Sequence, residues 1–384
     1  MLVEAAIPLG LRPLVMVASE EEPAARFSPS LVGDTSDDLA LESFLKKVDL
    51  VVFESEFVPC ERIARVARQM GTSAPRFFPS LAVLSELADK TQQKLRLDRL
   101  GLATAEFRIH DPAESWRDWL GRSVDELGGS AVLKWGRMGY DGKGVLPVKA
   151  CGGAWPEIVP PFCEAALGKG IPLYLERLVK FTRELAVVAV VSSSGEKTGY
   201  PLVVSTQTDG ICRLVMGPAT ALGVSATREK EALQTAFRLA EATGLVGAFA
   251  VEFFDAPEGL LVNEIAPRVH NSGHYTQNAA STSQFENHLR AAVGLSLGST
   301  RTAPGFAMLN LLGFGHARPV SRIPGPSSVG WLHWYDKTEI RNGRKMGHLN
   351  AVCDNPTAVP EVVKDLEQAV KLWQMEDSVG KEKK

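Results

Sequence analysis

Two glutamates, Glu252 and Glu264, lie in the segment GAFAVEFFDAPEGLLVNEIAPR, where apolar and polar residues alternate on either side of a short turn. The alternation predicts two antiparallel strands joined through Asp255 to Gly259, and a hairpin symmetric about Glu258 sets the two carboxylates directly opposite each other. Directly opposed residues have Cβ atoms about 4.5–5.5 Å apart, so like charges placed there repel and call for a cation between them. Mg²⁺ suits the arrangement, because it takes one or two carboxylates and completes its octahedron with phosphate oxygens and water. Asn263 stands beside Glu264 as a further polar group. The competing reading has Arg268, four residues on, neutralising the pair. The apolar positions Phe249, Val251 and Phe253 favour the metal, since a surface pair needs no core behind it.

A second constellation is the run SAVLKWGRMGYDGKGVLPV, with Gly136, Gly139, Gly142 and Gly144 between two strand-like apolar stretches. It differs from a Walker loop, which needs GK followed by Ser or Thr and then a helix; here Gly144 follows Lys143 and a strand containing Pro147 comes next. Such glycine density lets backbone N–H groups approach a polyphosphate, and Lys143 and Arg137 add positive charge. Lys134 ends the preceding strand, where a buried cation needs an anionic partner that a nucleotide phosphate supplies. Lys90, on the helix before it, is a second phosphate candidate. Taken alone, the loop reads equally as a surface hairpin. Glu176 and Glu184, predicted at strand edges in IPLYLERLVKFTRELAVVAVV, read alone as solvated acids.

Three stretches of chain position these groups. Residues 1–86 alternate apolar strand runs (LVMVA, VDLVVF) with helices such as Cys60 to Met70, the pattern of a small α/β unit with parallel strands. Residues 87–298 open with a helix expected from about Leu84 to Leu100, ended by Gly101, and continue as α+β with a long helix near Lys230 to Thr243. The part that closes over a nucleotide is expected at about 103–174. Residues 299–384 are expected to form a small β-rich domain with a helix near Pro360 to Trp373 and a disordered tail, GKEKK.

With 384 residues, 45% hydrophobic and 23% charged, the composition is that of a globular protein of two or three domains. The formal net charge of -3 argues against a general nucleic-acid binder. Five cysteines without a CxxC pair suit reduced thiols and a cytoplasmic setting. The apolar start carries Glu4 and Arg12 and breaks at two prolines, which suits neither a signal peptide nor a membrane span.

The motifs together resemble the ATP-grasp family and, within it, the 5-(carboxyamino)imidazole ribonucleotide synthases. The matching stretches are SEFVP, GLATAEF, VLKWGRMGYDGKG, YPLVVSTQTDGICR, LVNEIAPRVHNSGHYTQNAASTSQFENHLRA, LHWYDK and GRKMGHLN. The resemblance implies an ATP-grasp fold of the α/β and α+β kind, with an N-terminal Rossmann-like pre-ATP-grasp domain and a small β-rich C-terminal domain. Family members begin with a strand and a glycine loop, GxGQLGRM; this sequence is expected to start inside that motif, with a correspondingly weaker first domain. Carried over position by position, Lys90 and Lys134 contact ATP phosphates and Gly139, Tyr140, Asp141, Gly142, Lys143, Gly144 and Val145 form the flap over them. Glu176, Arg177, Leu178 and Val179 line the adenine, Glu184 holds the ribose, and Gln207 stands where the family often has histidine. Asn263 and Glu264 with Glu252 hold magnesium. Tyr140 and Asp141 lie beside the imidazole, and Lys337, Arg344 and Lys345 meet the ribonucleotide phosphate. Without the resemblance, that last cluster reads as a solvated basic face offset by Asp336 and Glu339. Arg268, His270 and Asn271, with Lys134, serve catalysis where bicarbonate meets the γ-phosphate, and His274 supports them.

The implied activity is carboxylation of 5-aminoimidazole ribonucleotide with bicarbonate and ATP in purine biosynthesis, by a cytoplasmic homodimer. The alternatives are another ATP-grasp carboxylate–amine ligase, or a nucleotide-binding homologue without turnover.

Overall fold

The computed structural model describes residues 1–139, 142–320, 322–324 and 330–379. Helix α1 (Leu2–Ala6) leads to β1 (Val15–Val17), which pairs in parallel with β2 (Ser30–Val32). After α2 (Asp38–Leu45) comes β3 (Leu50–Val52), then α3 (Cys60–Met70) and β4 (Arg76–Phe78), which lies parallel to β3. Parallel neighbours need a crossover, and α3 is that crossover. Its Ile63, Val66 and Ala67 recur at helical spacing and pack with Leu41 and Leu45 of α2 against Phe53 and Leu84.

The helix expected from Leu84 to Leu100 is two helices, α4 (Leu81–Leu87) and α5 (Lys90–Arg99). The break is at Asp89, which leaves helical geometry (φ -101°, ψ 110°) so that its buried carboxylate accepts from the N–H groups of Thr91 and Gln92. This is an N-cap: a short acid satisfies amides that a helix start leaves bare. It sets Lys90 in the first turn of α5.

Next comes an antiparallel sheet. In chain order its elements are β5 (Phe107–Ile109), α6 (Trp116–Glu126), β6 (Ser130–Trp135), β7 (Val145–Lys149), α7 (Val159–Leu167) and β8 (Leu173–Arg177). The strand order is β5-β8-β6-β7, and α6 and α7 bury Trp119, Leu120, Val124 and Cys163 against Leu133, Leu173 and Leu175. The glycine run therefore joins two strands, β6 and β7, as its sequence predicts.

The largest sheet starts with β9 (Arg183–Val191), the short β10 (Lys197–Gly199), β11 (Val203–Thr208) and β12 (Ile211–Gly217). Helix α8 (Ala226–Thr243) then leads into the hairpin of β13 (Gly247–Ala256) and β14 (Gly259–Ala266). Beyond it lie α9 (Thr276–Ala279), α10 (Gln284–Val293), β15 (Gly305–Leu312), β16 (Arg318–Pro319), β17 (Trp331–Trp334), β18 (Glu339–Ile340), β19 (Lys345–Cys353) and α11 (Val359–Val379). Among the described residues the order is β14-β13-β9-β11-β12-β15-β19-β17, with β10 on the edge of β9. Among the described residues, the strands after residue 298 are thus not a sheet of their own: β15 pairs with β12 and extends the central sheet, while β16 and β18 form a separate ribbon.

Strand alternation assigns the two faces of this sheet. Val187, Phe249, Val251 and Phe253 pack under Ala232, Ala236 and Leu239 of α8, whereas Val188, Ala248 and Ala250 face Phe285 and Leu289 of α10. Helix α11 covers β15 and β19 with Val363, Leu366, Val370 and Trp373, spaced by three or four residues. The tail 380–384 lies outside the described residues. No described helix is long and apolar enough to cross a membrane.

Candidate active site

Glu252 pairs directly with Glu264, the register expected from the sequence, but the hairpin reaches it differently. The turn is tighter than Asp255 to Gly259: Ala256 faces Gly259, leaving Pro257 and Glu258 as the connection. A bulge then inserts one residue, Asn263, between the pairs Phe253–Val262 and Glu252–Glu264. An extra residue turns two consecutive side chains toward one side. Val262 can therefore sit in the core with Phe253 while Asn263 and Glu264 both reach the lysine cluster described below.

The carboxylate pair lies on the sheet face shared with Ala186, Ala250 and Ala266. Burial, reinforced by Glu264 and Glu184, pushes the Glu252 carboxyl up to about 8. The cation that partly balances the pair is Lys90, whose Nζ lies 2.8 Å from Glu264 Oε2; His270 Nε2 is 3.7 Å from Glu252 Oε1. Arg268 does not neutralise it. Among the described residues, no group of three or more His, Cys, Asp or Glu side chains forms a complete metal cage. Two opposed carboxylates are the donor set of an ion that borrows its other ligands from a phosphate and water, so the residues fit Mg²⁺.

Lys134 Nζ forms an ion pair with Glu176 and lies 3.4 Å from Asn263 Oδ1. Glu176 also pairs with Lys94, whose Nζ donates to Thr104 Oγ1 at 2.6 Å. Here the strand-edge expectation is corrected. β8 lies between β5 and β6, Glu176 is 2% exposed, and its carboxylate is held between two ammonium groups. Burial alone would raise its pKa, but Lys134 and Lys94 hold it at about 2. Burial lowers the pKa of Lys94 in turn. Alternation sends Arg177 the other way, to Glu258 at 2.7 Å. Leu178 is exposed and Val179 is buried. Glu184, half-buried in the interior strand β9, is no edge residue either, and burial raises its pKa. Gln207 of β11 pairs with Cys212, next to the bulge that Arg213 makes in β12.

The glycine loop is tied at its base. The Lys90 N–H donates to Gly136 O at 2.7 Å, and Arg137 Nε donates to Asp89 Oδ2 at 2.8 Å, so Arg137 braces the α5 cap instead of adding charge to the loop. Gly142 has φ +77°, and a Cβ there would fall 2.4 Å from Asp209 O, so only glycine lets the loop approach the β11–β12 turn this closely. Gly144 O accepts from the Trp135 N–H, and Val145 begins β7 exposed. Tyr140 and Asp141 lie outside the described residues.

After β14 the chain turns through Arg268, His270 and Asn271. Arg268 forms a two-pronged ion pair with Glu56, its Nη2 lying 3.0 Å from Oε1, so the guanidinium is not wholly free for the γ-phosphate region. Glu56 escaped the residue-by-residue reading, although it lies in the SEFVP motif. Burial, with Arg268 and Lys345, lowers His270 to about 3, leaving a neutral imidazole whose Nδ1 meets Ser272 Oγ at 2.8 Å. The Asn271 amide is buried with neither its N nor its O hydrogen-bonded, an orphan of the kind a bound ligand satisfies. Lys337 Nζ donates to Lys345 O at 2.8 Å. Arg344 Nη1 donates to Glu339 O at 3.0 Å. The charge of Lys345 acts on Glu252 and His270, which places it toward the carboxylates.

Known proteins resemble this chain in sequence and in fold. Family models match residues 1–84 (ribonucleotide synthetase preATP-grasp domain), 95–285 (ATP-grasp domain) and 307–361 (phosphoribosylaminoimidazole carboxylase C-terminal domain). Over 360 residues the chain is 36% identical to the N5-carboxyaminoimidazole ribonucleotide synthase of Synechococcus elongatus, covering 91% of this chain and 85% of that protein. The chain belongs to the N5-carboxyaminoimidazole ribonucleotide synthase family. The synthetase of Thermus thermophilus superposes on this family member with a TM-score of 0.80 at 37% identity, covering 96% of this chain and 95% of that one. The Aspergillus clavatus synthase, solved with ADP and 5-aminoimidazole ribonucleotide, does so with a TM-score of 0.80 at 28% identity, covering 97% and 95%.

Proposed function

We propose that this synthase-family chain carboxylates 5-aminoimidazole ribonucleotide to its 5-(carboxyamino) product, consuming ATP and bicarbonate and releasing ADP and phosphate in purine biosynthesis. The observation that carries this reading is the convergence of Lys90, Lys134, Glu252, Glu264 and the Arg268–Asn271 turn at one end of the central sheet, under the glycine loop.

Lys90 and Lys134 bind the phosphates, exchanging Glu264 and Glu176 in part for phosphate oxygens. The amides of Gly139 to Val145 close over them. Glu176, Arg177, Leu178 and Val179 border the adenine, Glu184 holds the ribose hydroxyls, and Gln207 flanks the nucleotide. Glu252 and Glu264 would hold Mg²⁺, which would supply charge neutralisation for the ATP phosphates. A bicarbonate oxygen attacks the γ-phosphorus, the bond to the β-phosphate oxygen breaks, and ADP leaves. The carboxyphosphate so formed releases CO₂ and phosphate when its C–O bond breaks. The exocyclic amine then adds to the carbon of CO₂ and gives its proton to the departing phosphate. Arg268 and Asn271 orient the planar bicarbonate, and the neutral His270, whose Nδ1 accepts from the Ser272 N–H, donates its Nε2–H to a bicarbonate oxygen. Tyr140 and Asp141 flank the imidazole, while Lys337, Arg344 and Lys345 hold the ribonucleotide phosphate. The family resemblance supports a homodimer working in the cytoplasm.

ADP formation by the purified protein with MgATP is expected to require both bicarbonate and 5-aminoimidazole ribonucleotide. A rate that does not change when either is omitted contradicts this reading, and ATP binding without any turnover favours the non-catalytic alternative.

A further inference from the structure

Behind the Arg268–Asn271 turn lies a layer of aromatic and amide side chains that the reaction above does not use. The Tyr335 hydroxyl lies 2.8 Å from His348 Nδ1 and 3.2 Å from His274 Nδ1. His348 stacks on His333, with ring centroids 4.5 Å apart. His333 Nε2 meets Asn278 Oδ1 at 2.7 Å. The Asn350 amide donates to Asn278 Oδ1 at 2.8 Å and to the His274 carbonyl at 3.0 Å. His348 and Asn350 are fully buried, and burial pushes both His274 and His348 well below the usual imidazole range, so both rings are neutral.

Two neutral imidazoles that share one hydroxyl need different tautomers, because the hydroxyl has one hydrogen to give. His348 Nε2 has no partner, and a buried N–H without an acceptor is rarer than a bare acceptor. The proton of His348 therefore belongs on Nδ1. The chain runs from His348 Nδ1–H to the Tyr335 oxygen and from the Tyr335 O–H to His274 Nδ1. Tyr335 is also anchored on the strand side: its N–H donates to Met346 O at 2.9 Å, and Lys337 Nζ lies 5.6 Å from its ring centroid. One residue thus touches the cation assigned to the ribonucleotide and, through His274, the turn assigned to bicarbonate.

We propose that Tyr335 is a positioning residue that keeps the Arg268–His274 turn in register with the Lys337 loop between β17 and β18, so that ATP cleavage is tied to carboxylation. The inference rests on the function proposed above. It is tested by measuring phosphate released and carboxylated product formed in the same reaction, in wild type and in Tyr335→Phe, which removes a single oxygen. In wild type the two are expected to be equal. In Tyr335→Phe, phosphate is expected to exceed product by about fivefold or more, with the KM for ATP unchanged. His274→Leu, which lacks Nδ1, is expected to uncouple in the same way, and His274→Asn, which keeps a polar atom near that position, to restore part of the coupling. Equal phosphate and product in both Tyr335→Phe and His274→Leu overturn the inference, even when their melting temperatures fall. If Tyr335→Phe does not fold, the His274 pair decides alone. A wild type that makes no product overturns the functional reading instead.

Discussion

Glu264→Gln is expected to lower ADP formation by about 10³-fold while leaving the protein folded. The substitution keeps the side chain's volume and a carbonyl oxygen, and removes one of two charges on the metal together with the counter-charge beside Lys90. Metal-borne charge stabilisation is worth several kcal/mol, and about 1.4 kcal/mol corresponds to a factor of ten in rate. Folding stability without metal is expected to hold or rise, because Glu252 loses the like charge opposite it. A stopped assay with a parallel thermal melt separates the two effects. Activity within about threefold of wild type would show that Glu264 holds no essential ion.

Glu176→Gln is expected to act on stability. The carboxylate is buried between Lys94 and Lys134, and its removal leaves two ammonium groups in the interior without their counter-charge. Breaking a buried ion pair from one side costs roughly 3–5 kcal/mol. The loss is expected as a large drop in the urea midpoint, with part of it recovered when Lys94→Met removes one of the stranded cations. A midpoint that does not move would mean that water already reaches these groups.

The contrast between Glu252 and Glu176 shows what the sequence carried. The opposition of Glu252 and Glu264 was legible because alternation within one hairpin is local information. Even so, the bulge at Asn263 that sets the register has no mark in VNEIAPR beyond the outcome. Helix α3 and the strand–loop–strand character of the glycine run were legible for the same reason. Burial of Glu176 was not, since its partner Lys94 lies in KTQQKLRLDR, a run whose composition reads as solvent-facing helix. The apolar spacing that continues across Asp89 hides the break there, although Asp followed by a helix start is an N-cap signature. Glu56 and Arg268 meet across 212 positions of chain, and Tyr335 meets His274 across 61. Contacts at that range arise from how strands are ordered in the sheet, which no local pattern encodes. The continuation of the central sheet into β15 and β19 is hidden from the sequence for the same reason.

The most direct test of the proposed chemistry follows oxygen. In a single-turnover reaction with ¹⁸O-labelled bicarbonate, unlabelled MgATP and 5-aminoimidazole ribonucleotide, attack on the γ-phosphorus carries one bicarbonate oxygen into the released phosphate. Phosphate bearing one ¹⁸O atom, formed in step with the carboxylated product, is the predicted result. Unlabelled phosphate formed alongside that product would contradict activation of bicarbonate by ATP.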